Sequence, residues 1–260
     1  MKMRYLPVVA ITAIVASCSS GSTPTTTSVS RTTPTTIQSS TSTSLAPVLP
    51  DETSSTITPT SANENTKMLS FRADVWADNW FSLYINGKLV GEDSVSITTE
   101  RSFNSEQISF TATYPFTIAM VTKDFKQNDS GLEYIGTNRQ QMGDGGFIAQ
   151  FTDTSTGKVV AYTNTSWRGL VIHQAPLDMS CEKSQSPDTD CTSRIVTEPT
   201  DWTQPAFNDS SWPIANQYSA EQVGVKDGYN DITWSTQADI IWTSDLKIDN
   251  TILWRYTVAV

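Results

Sequence analysis

From residue 69 onward, apolar residues recur two apart in short runs, and no long run of helical period separates them. In Leu69-Ser70-Phe71-Arg72-Ala73-Asp74-Val75 apolar and polar residues alternate strictly, which is the period of a half-buried strand. In the next run Phe81, Leu83 and Ile85 fall on one face, and Trp80, Ser82 and Tyr84 on the other. Asn86-Gly87 follows at once and Lys88-Leu89-Val90 returns. An Asn-Gly pair between such runs is a strong hairpin signal, because a type I′ turn needs positive φ at both positions. Further strands are expected over 107–113, 116–122, 147–153, 158–163, 239–243 and 251–258, with a second hairpin at Thr156-Gly157. Pro115 marks a boundary between two of them, since proline cannot donate to a ladder. Strands in series without intervening helices predict an all-β fold, a sandwich or jelly roll, over residues 68–260.

The chain before this region has a different character. Lys2 and Arg4 precede an apolar run from residue 5 to residue 16, followed by Ser17 and Cys18. A basic start, a short apolar core and small residues before a cut site describe a secretory signal peptide over residues 1–17. The core is too short to cross a bilayer as a helix. Val15-Ala16-Ser17-Cys18 resembles the bacterial lipobox, which implies lipidation of Cys18 and an exported chain held on the cell membrane by its acyl chains. An ordinary signal peptide with Cys18 as a bystander is the alternative. Residues 18–67 are mostly Ser and Thr with five scattered prolines and no aromatic residue. Such a segment cannot offset an ordering cost of about 1–2 kcal/mol per residue, so a disordered tether is expected. Its reach as a flexible coil would be roughly 40 Å.

Charge is distributed unevenly. The chain has 17 Lys and Arg against 27 Asp and Glu, a formal net charge of −10. Residues 68–260 carry 13 of the former and 24 of the latter, so the acidity belongs to the β-rich region. This argues against nucleic acid as a partner, because that affinity rests on clustered cations.

The run Ala77-Asp78-Asn79-Trp80-Phe81-Ser82-Leu83-Tyr84-Ile85-Asn86-Gly87-Lys88-Leu89-Val90-Gly91 resembles the strand–turn–strand motif of galactose-binding-like jelly rolls. Three later parts look similar in the same order. Gly146–Phe151 runs into Val160–Arg168. Trp202 precedes Phe207-Asn208-Asp209-Ser210-Ser211-Trp212. Ile240-Ile241-Trp242 leads to a last strand that contains Arg255. The resemblance implies a galactose-binding-like β-sandwich of the kind that accompanies glycosidases and surface proteins. These are scaffold motifs, so they imply fold more strongly than function. Residues 176–199 look like an insertion against that pattern and carry Cys181 and Cys191. In an exported chain these two are expected to form a disulfide, which leaves only Cys18, already used by the lipobox.

Catalytic constellations are sparse. The sole imidazole, His173, lies in the strand-like run Leu170-Val171-Ile172-His173, where a buried, hydrogen-bonded histidine is the plain expectation. No Gly-x-Ser-x-Gly elbow occurs. Paired carboxylates for glycoside hydrolysis cannot be singled out among so many acids. No cofactor is expected, save that a structural calcium would suit Asp74, Asp78, Asp144, Asp227 or Asp231, since calcium takes six to eight oxygen ligands. Among the eight tryptophans, Trp76, Trp167, Trp212 and Trp242 fall in scaffold motifs and are assigned to the core. Trp80, Tyr84 and Trp234 are the candidates for a platform on which sugar rings stack, with Arg168 as a donor to hydroxyls. A non-catalytic module that binds an extracellular glycan is the leading expectation. A module that binds an envelope protein and a glycoside-active enzyme are the alternatives.

Overall fold

The structure is a computed structural model and describes residues 67–99, 103–124 and 126–259. The signal peptide, Cys18 and the Ser/Thr-rich tether therefore lie outside the described residues, apart from Lys67 at the tether's end. The strands are β1 (Leu69–Asp78), β2 (Trp80–Ile85), β3 (Lys88–Glu92), β4 (Ser105–Ala112), β5 (Phe116–Lys123), β6 (Leu132–Glu133) and β7 (Gln141–Met142). They continue as β8 (Gly146–Asp153), β9 (Val159–Tyr162), β10 (Arg168–Gln174), β11 (Arg194–Ile195), β12 (Asn216–Tyr218), β13 (Ile240–Trp242) and β14 (Asp249–Val258). Two single-turn helices, α1 (Pro187–Asp190) and α2 (Ala220–Val223), lie in connections. No helix among the described residues is long and apolar enough to cross a membrane.

Two antiparallel sheets form a β-sandwich, which bears out the expected fold class. The first runs β12-β13-β8-β1-β4, with β9 also on β8; the second runs β11-β10-β14-β5-β2-β3. Alternate residues from facing strands make the shared core. Phe71, Ala73, Val75 and Ala77 come from β1, and Phe147, Ala149 and Phe151 from β8. Opposite them stand Phe81 and Leu83 from β2, Ile118 and Met120 from β5, and Ile252 and Trp254 from β14. Trp76, Trp167, Trp212 and Trp242 are all buried, as their motifs suggested. Asn86 and Gly87 both take positive φ, and β2 pairs with β3 across them. The β8–β9 hairpin closes at Gly157, whose N–H donates to the Asp153 carbonyl at 2.8 Å.

Alternation in β1 predicts one exposed face, yet both faces are buried over most of its length. A third layer explains the difference. Val223, Tyr229 and Trp234 pack with Trp76, Ile148 and Ile240 on the outside of the first sheet. The second sheet is covered outside as well, but only in part. There Trp202, Phe207 and Trp212 pack with Ala119, Leu253, Leu170 and Tyr84. Arg255, 2% exposed on β14, pins that cover in place. Its guanidinium donates to the Asp209 carboxylate at 2.9 Å, to the Gln204 carbonyl at 3.1 Å, to the Phe207 carbonyl at 3.3 Å and to the Trp202 carbonyl. The insertion over 176–199 forms a short 3₁₀ turn, α1 and β11, and Cys181 is bonded to Cys191 as expected.

Removing the Arg255 charge leaves Asp209 and three carbonyls without their donor. Arg255→Met is expected to cost about 3–5 kcal/mol, the range for breaking a buried ion pair by deleting one partner. Urea unfolding measures that loss. A red shift of native tryptophan emission would report the release of Trp202 and Trp212.

Candidate functional site

Beyond the cover from 202 to 212, the described residues of the second sheet's outer side line a groove of about 290 Å³. Its floor follows from strand register. Trp80 pairs with Lys123, Lys123 with Thr251, Thr251 with His173, and His173 with Ile195. Residues directly opposite in adjacent strands project to the same side. These five thus form one row across β2, β5, β14, β10 and β11. Behind it, Ser82 and Val121 form part of the next outward row, with Tyr84 beyond. Lys126, Val196 and Glu198 complete the walls.

Local irregularity supplies one member of the row. The β10–β14 register steps from Val171↔Ile252 to His173↔Thr251, which leaves Ile172 as an extra residue. Such a bulge re-aims side chains, and here both Ile172 and His173 line the groove. His173 is buried, as expected, and neither ring nitrogen makes a close hydrogen bond; Asp129 is its polar neighbour, and its backbone and carboxylate both favour the charged ring. The Asp129 carboxylate stands 3.8 Å from Nε2. Burial, helped by the Lys126 charge, pulls the His173 pKa below its usual value, so the imidazole is neutral at pH 7.

Lys123 sets the electrostatics of the floor. Its ammonium lies 4.7 Å from the centre of the Trp80 ring, a cation–π contact. Burial pulls its pKa down, and Lys126 adds to that; Glu198 and Glu92 act the other way. Lys126 itself is paired with Asp129 at 2.8 Å. Glu198 accepts a hydrogen bond from the Trp202 indole.

Of the sequence-predicted ligand contacts, Trp80 and Tyr84 meet in this groove, whereas Arg168 and Trp234 do not line it. Arg168 donates to the Trp212 carbonyl at 2.8 Å and to the Ser210 carbonyl at 3.3 Å, and so helps to hold the cover. Trp234 is half-buried against Tyr229, with its indole N–H on the Tyr229 carbonyl at 2.9 Å. Lys123, His173 and Glu198 were not singled out as site residues from sequence. Only the outward parity shared by Trp80 and Lys123 would have hinted at the first.

The five aspartates considered for calcium do not converge. Asp74, on the outside of the first sheet, is engaged by Arg72, whose Nε lies 2.8 Å away, and by the amides of Gln107 and Gln150 at 2.9 and 3.1 Å. Asp227 and Asp231 are exposed around the turn at Gly228, beside a shallow cleft. Asp78 and Asp144 do approach one another, but around the Lys226 ammonium, which stands 3.3 and 3.4 Å from their oxygens. Among the described residues, no three His, Cys, Asp or Glu side chains gather closely enough to hold a metal ion.

The Asp78–Lys226–Asp144 group carries the largest perturbation of charge. The Asp78 carboxyl, 1% exposed, is pushed up to about 8. Burial is the chief cause; Asp144 and Glu133 add to it and Lys226 opposes it. Burial also works to lower Lys226, but the charges of Asp78 and Asp144 outweigh it and the net shift is upward. Each group therefore holds its own proton at neutral pH. Lys226 keeps about a third of its side chain in water and stays charged, whereas desolvation keeps the Asp78 carboxyl neutral.

A stability profile follows from this. An unfolded chain releases the Asp78 proton near 3.8 and the folded chain near 8. Between those values the unfolded state binds fewer protons, so the stabilisation is full below about pH 4 and declines as pH rises through 8. Asp93, raised to about 6 chiefly by burial, acts in the same direction over the lower half of that window. The thermal midpoint is expected to fall as pH rises across this window. In Asp78→Asn the fall should be shallower, as differential scanning calorimetry would show. Comparison of the chain with protein-family models, with curated proteins and with solved structures finds no match.

Proposed function

We propose that the chain is a lipid-anchored, extracytoplasmic lipoprotein whose sandwich is a non-catalytic module that binds carbohydrate in the groove on the second sheet. One observation carries the reading: Trp80 and Tyr84, half-buried and pointing the same way, line a concave face together with the half-buried Lys123, and Ser82, Thr251 and His173 lie buried in its floor. An apolar ring face beside a few hydrogen-bonding groups is the pairing that a sugar needs. The lipobox-like Cys18 and the Ser/Thr-rich stretch behind it support an anchored module held out from the bilayer.

Protein binding is the second reading, favoured by a different feature. A wider groove of about 610 Å³ lies where β3 and β4 edge the two sheets, and the exposed side chains of Met68 and Leu89 line it. Glycoside hydrolysis has less in its favour. Asp78 holds its proton well above the usual range, as a general acid must, but it is buried beneath Lys226.

Two measurements test the proposal. Trp80→Ala is expected to weaken glycan binding by about tenfold or more, whereas Trp234→Ala leaves it unchanged. A glycan array followed by calorimetry on the full chain would read both. The carbohydrate reading fails if no glycan binds the wild type with or without calcium. Separately, the wild-type chain should partition with membranes in a bacterial host and Cys18→Ala should not. Membrane retention of Cys18→Ala would overturn the anchor.

A further inference from the structure

We infer that the ligand of the groove is an acidic sugar, whose carboxylate meets the Lys123 ammonium while its hydroxyls meet the His173 imidazole; this rests on the carbohydrate reading above. Two polar groups in one cross-strand row are incompletely paired. Lys123 is half-buried, yet among the described residues no carboxylate lies within ion-pair distance of its ammonium. Contact with the Trp80 ring is its compensation. A desolvated ammonium gains most from an anionic acceptor, because charge-assisted hydrogen bonds are the strong ones. His173 is 3% exposed, and beyond its long contact with Asp129 neither Nδ1 nor Nε2 is satisfied among the described residues. Buried polar atoms are ordinarily satisfied, so a partner is called for that the described residues do not supply.

Spacing sets the shape of that partner. Lys123 and His173 are separated by one intervening strand, β14, so their backbones are about 10 Å apart at the usual strand spacing. One compact anion would not bridge both, whereas a short chain of sugar units lying across the strands would. The neutral imidazole offers one donor and one acceptor, the complement of a sugar hydroxyl. Thr251, between the two in the same row, lies buried in the groove floor.

Charge supports the same class of ligand. Residues 68–260 are strongly acidic, yet the groove is lined by two lysines against one glutamate. Of these, Lys126 is already paired with Asp129, and the Glu198 carboxylate, held by the neutral Trp202 indole, acts on Lys123 only from beyond ion-pair distance. Lys123 is left as the cation that a ligand would meet. At physiological ionic strength charges interact over about 8 Å, so this contact is set by neighbours in the groove rather than by the net charge of the chain.

Calorimetry on the full chain in detergent, in the presence of a calcium chelator, compares three probes. These are a trisaccharide of galacturonic acid, its carboxyl-reduced counterpart built of galactose, and triglutamate. The acidic trisaccharide is expected to bind about tenfold tighter than the neutral one, the gain of one charge-assisted contact. Lys123→Met should bring the two trisaccharides to within about twofold of each other, and Lys123→Arg should restore the preference. Equal affinity of the wild type for both trisaccharides would overturn the acidic-sugar assignment and leave the carbohydrate reading standing. Binding of neither trisaccharide would overturn both. Triglutamate binding as tightly as the acidic trisaccharide, with the same loss in Lys123→Met, would move the assignment from sugars to acidic peptides. The wild-type comparison is decisive by itself, whatever the variants do to folding.

Discussion

The guanidinium of Arg255 decides which surface this protein has left to use. Placed on the outward side of β14, it would be an uncompensated buried charge without acceptors, a state that costs several kcal/mol. Asp209 and the carbonyls of Trp202, Gln204 and Phe207 supply those acceptors, and in doing so they fix the course of the 202–212 segment. Three aromatic side chains on that segment then cover the sheet around Ala119 and Leu253. Arg168 reinforces the same segment from the next strand by donating to the Ser210 and Trp212 carbonyls. A charge inside the fold and an open groove beside it are thus two results of one arrangement.

The two outer faces of the sandwich differ for related reasons. On the first sheet the layer around Val223, Tyr229 and Trp234 covers the apolar residues, and Trp76 donates its indole N–H to the Asp227 carbonyl across the contact. Polar residues of that face are satisfied among themselves, as Asp74 is by Arg72, Gln107 and Gln150. At its end Lys226 stands against the buried carboxyl of Asp78, where desolvation outweighs attraction and keeps the proton on. Along the second sheet a groove follows the row from Trp80 to Ile195, and in it Lys123 has no ion-pair partner among the described residues and the His173 ring is not fully satisfied. Stability has been settled on one face, while bonding capacity remains unused on the other.

Much of the scaffold was legible because it is encoded locally. Alternation at 69–75 and 81–85 and the Asn86-Gly87 turn each act within a few residues, and β1, β2 and β3 form where they predict. Outward parity of Trp80 and Tyr84 was legible for the same reason, since it needs only the two-residue period. The role of Arg168 was not. Its acceptors come from residues 210 and 212, more than forty positions away, and nothing nearby distinguishes an arginine that donates to carbonyls from one that waits for a ligand. Trp234 is half-buried for a similar reason, because Tyr229, itself packed on Trp76, meets it only once the third layer has formed. Of the acids considered for calcium, Asp74 is engaged by Arg72, and Asp78 and Asp144 gather around the Lys226 ammonium.

His173 marks the boundary between the two kinds of information. Its burial could be read from the apolar run that precedes it, but its direction depends on the bulge at Ile172, a property of how β10 pairs with β14. By itself the sequence determined a sandwich of short strands, a disulfide between Cys181 and Cys191, and a chain whose acidity lies in its β-rich region, because period, turn chemistry and cysteine count are local or additive quantities. Tertiary structure alone decided that Trp80, Lys123, Thr251 and His173 share one row and that the aromatic cover stops beside them. Register joins residues from four strands that are far apart in the chain, and only the pairing of whole strands can set it.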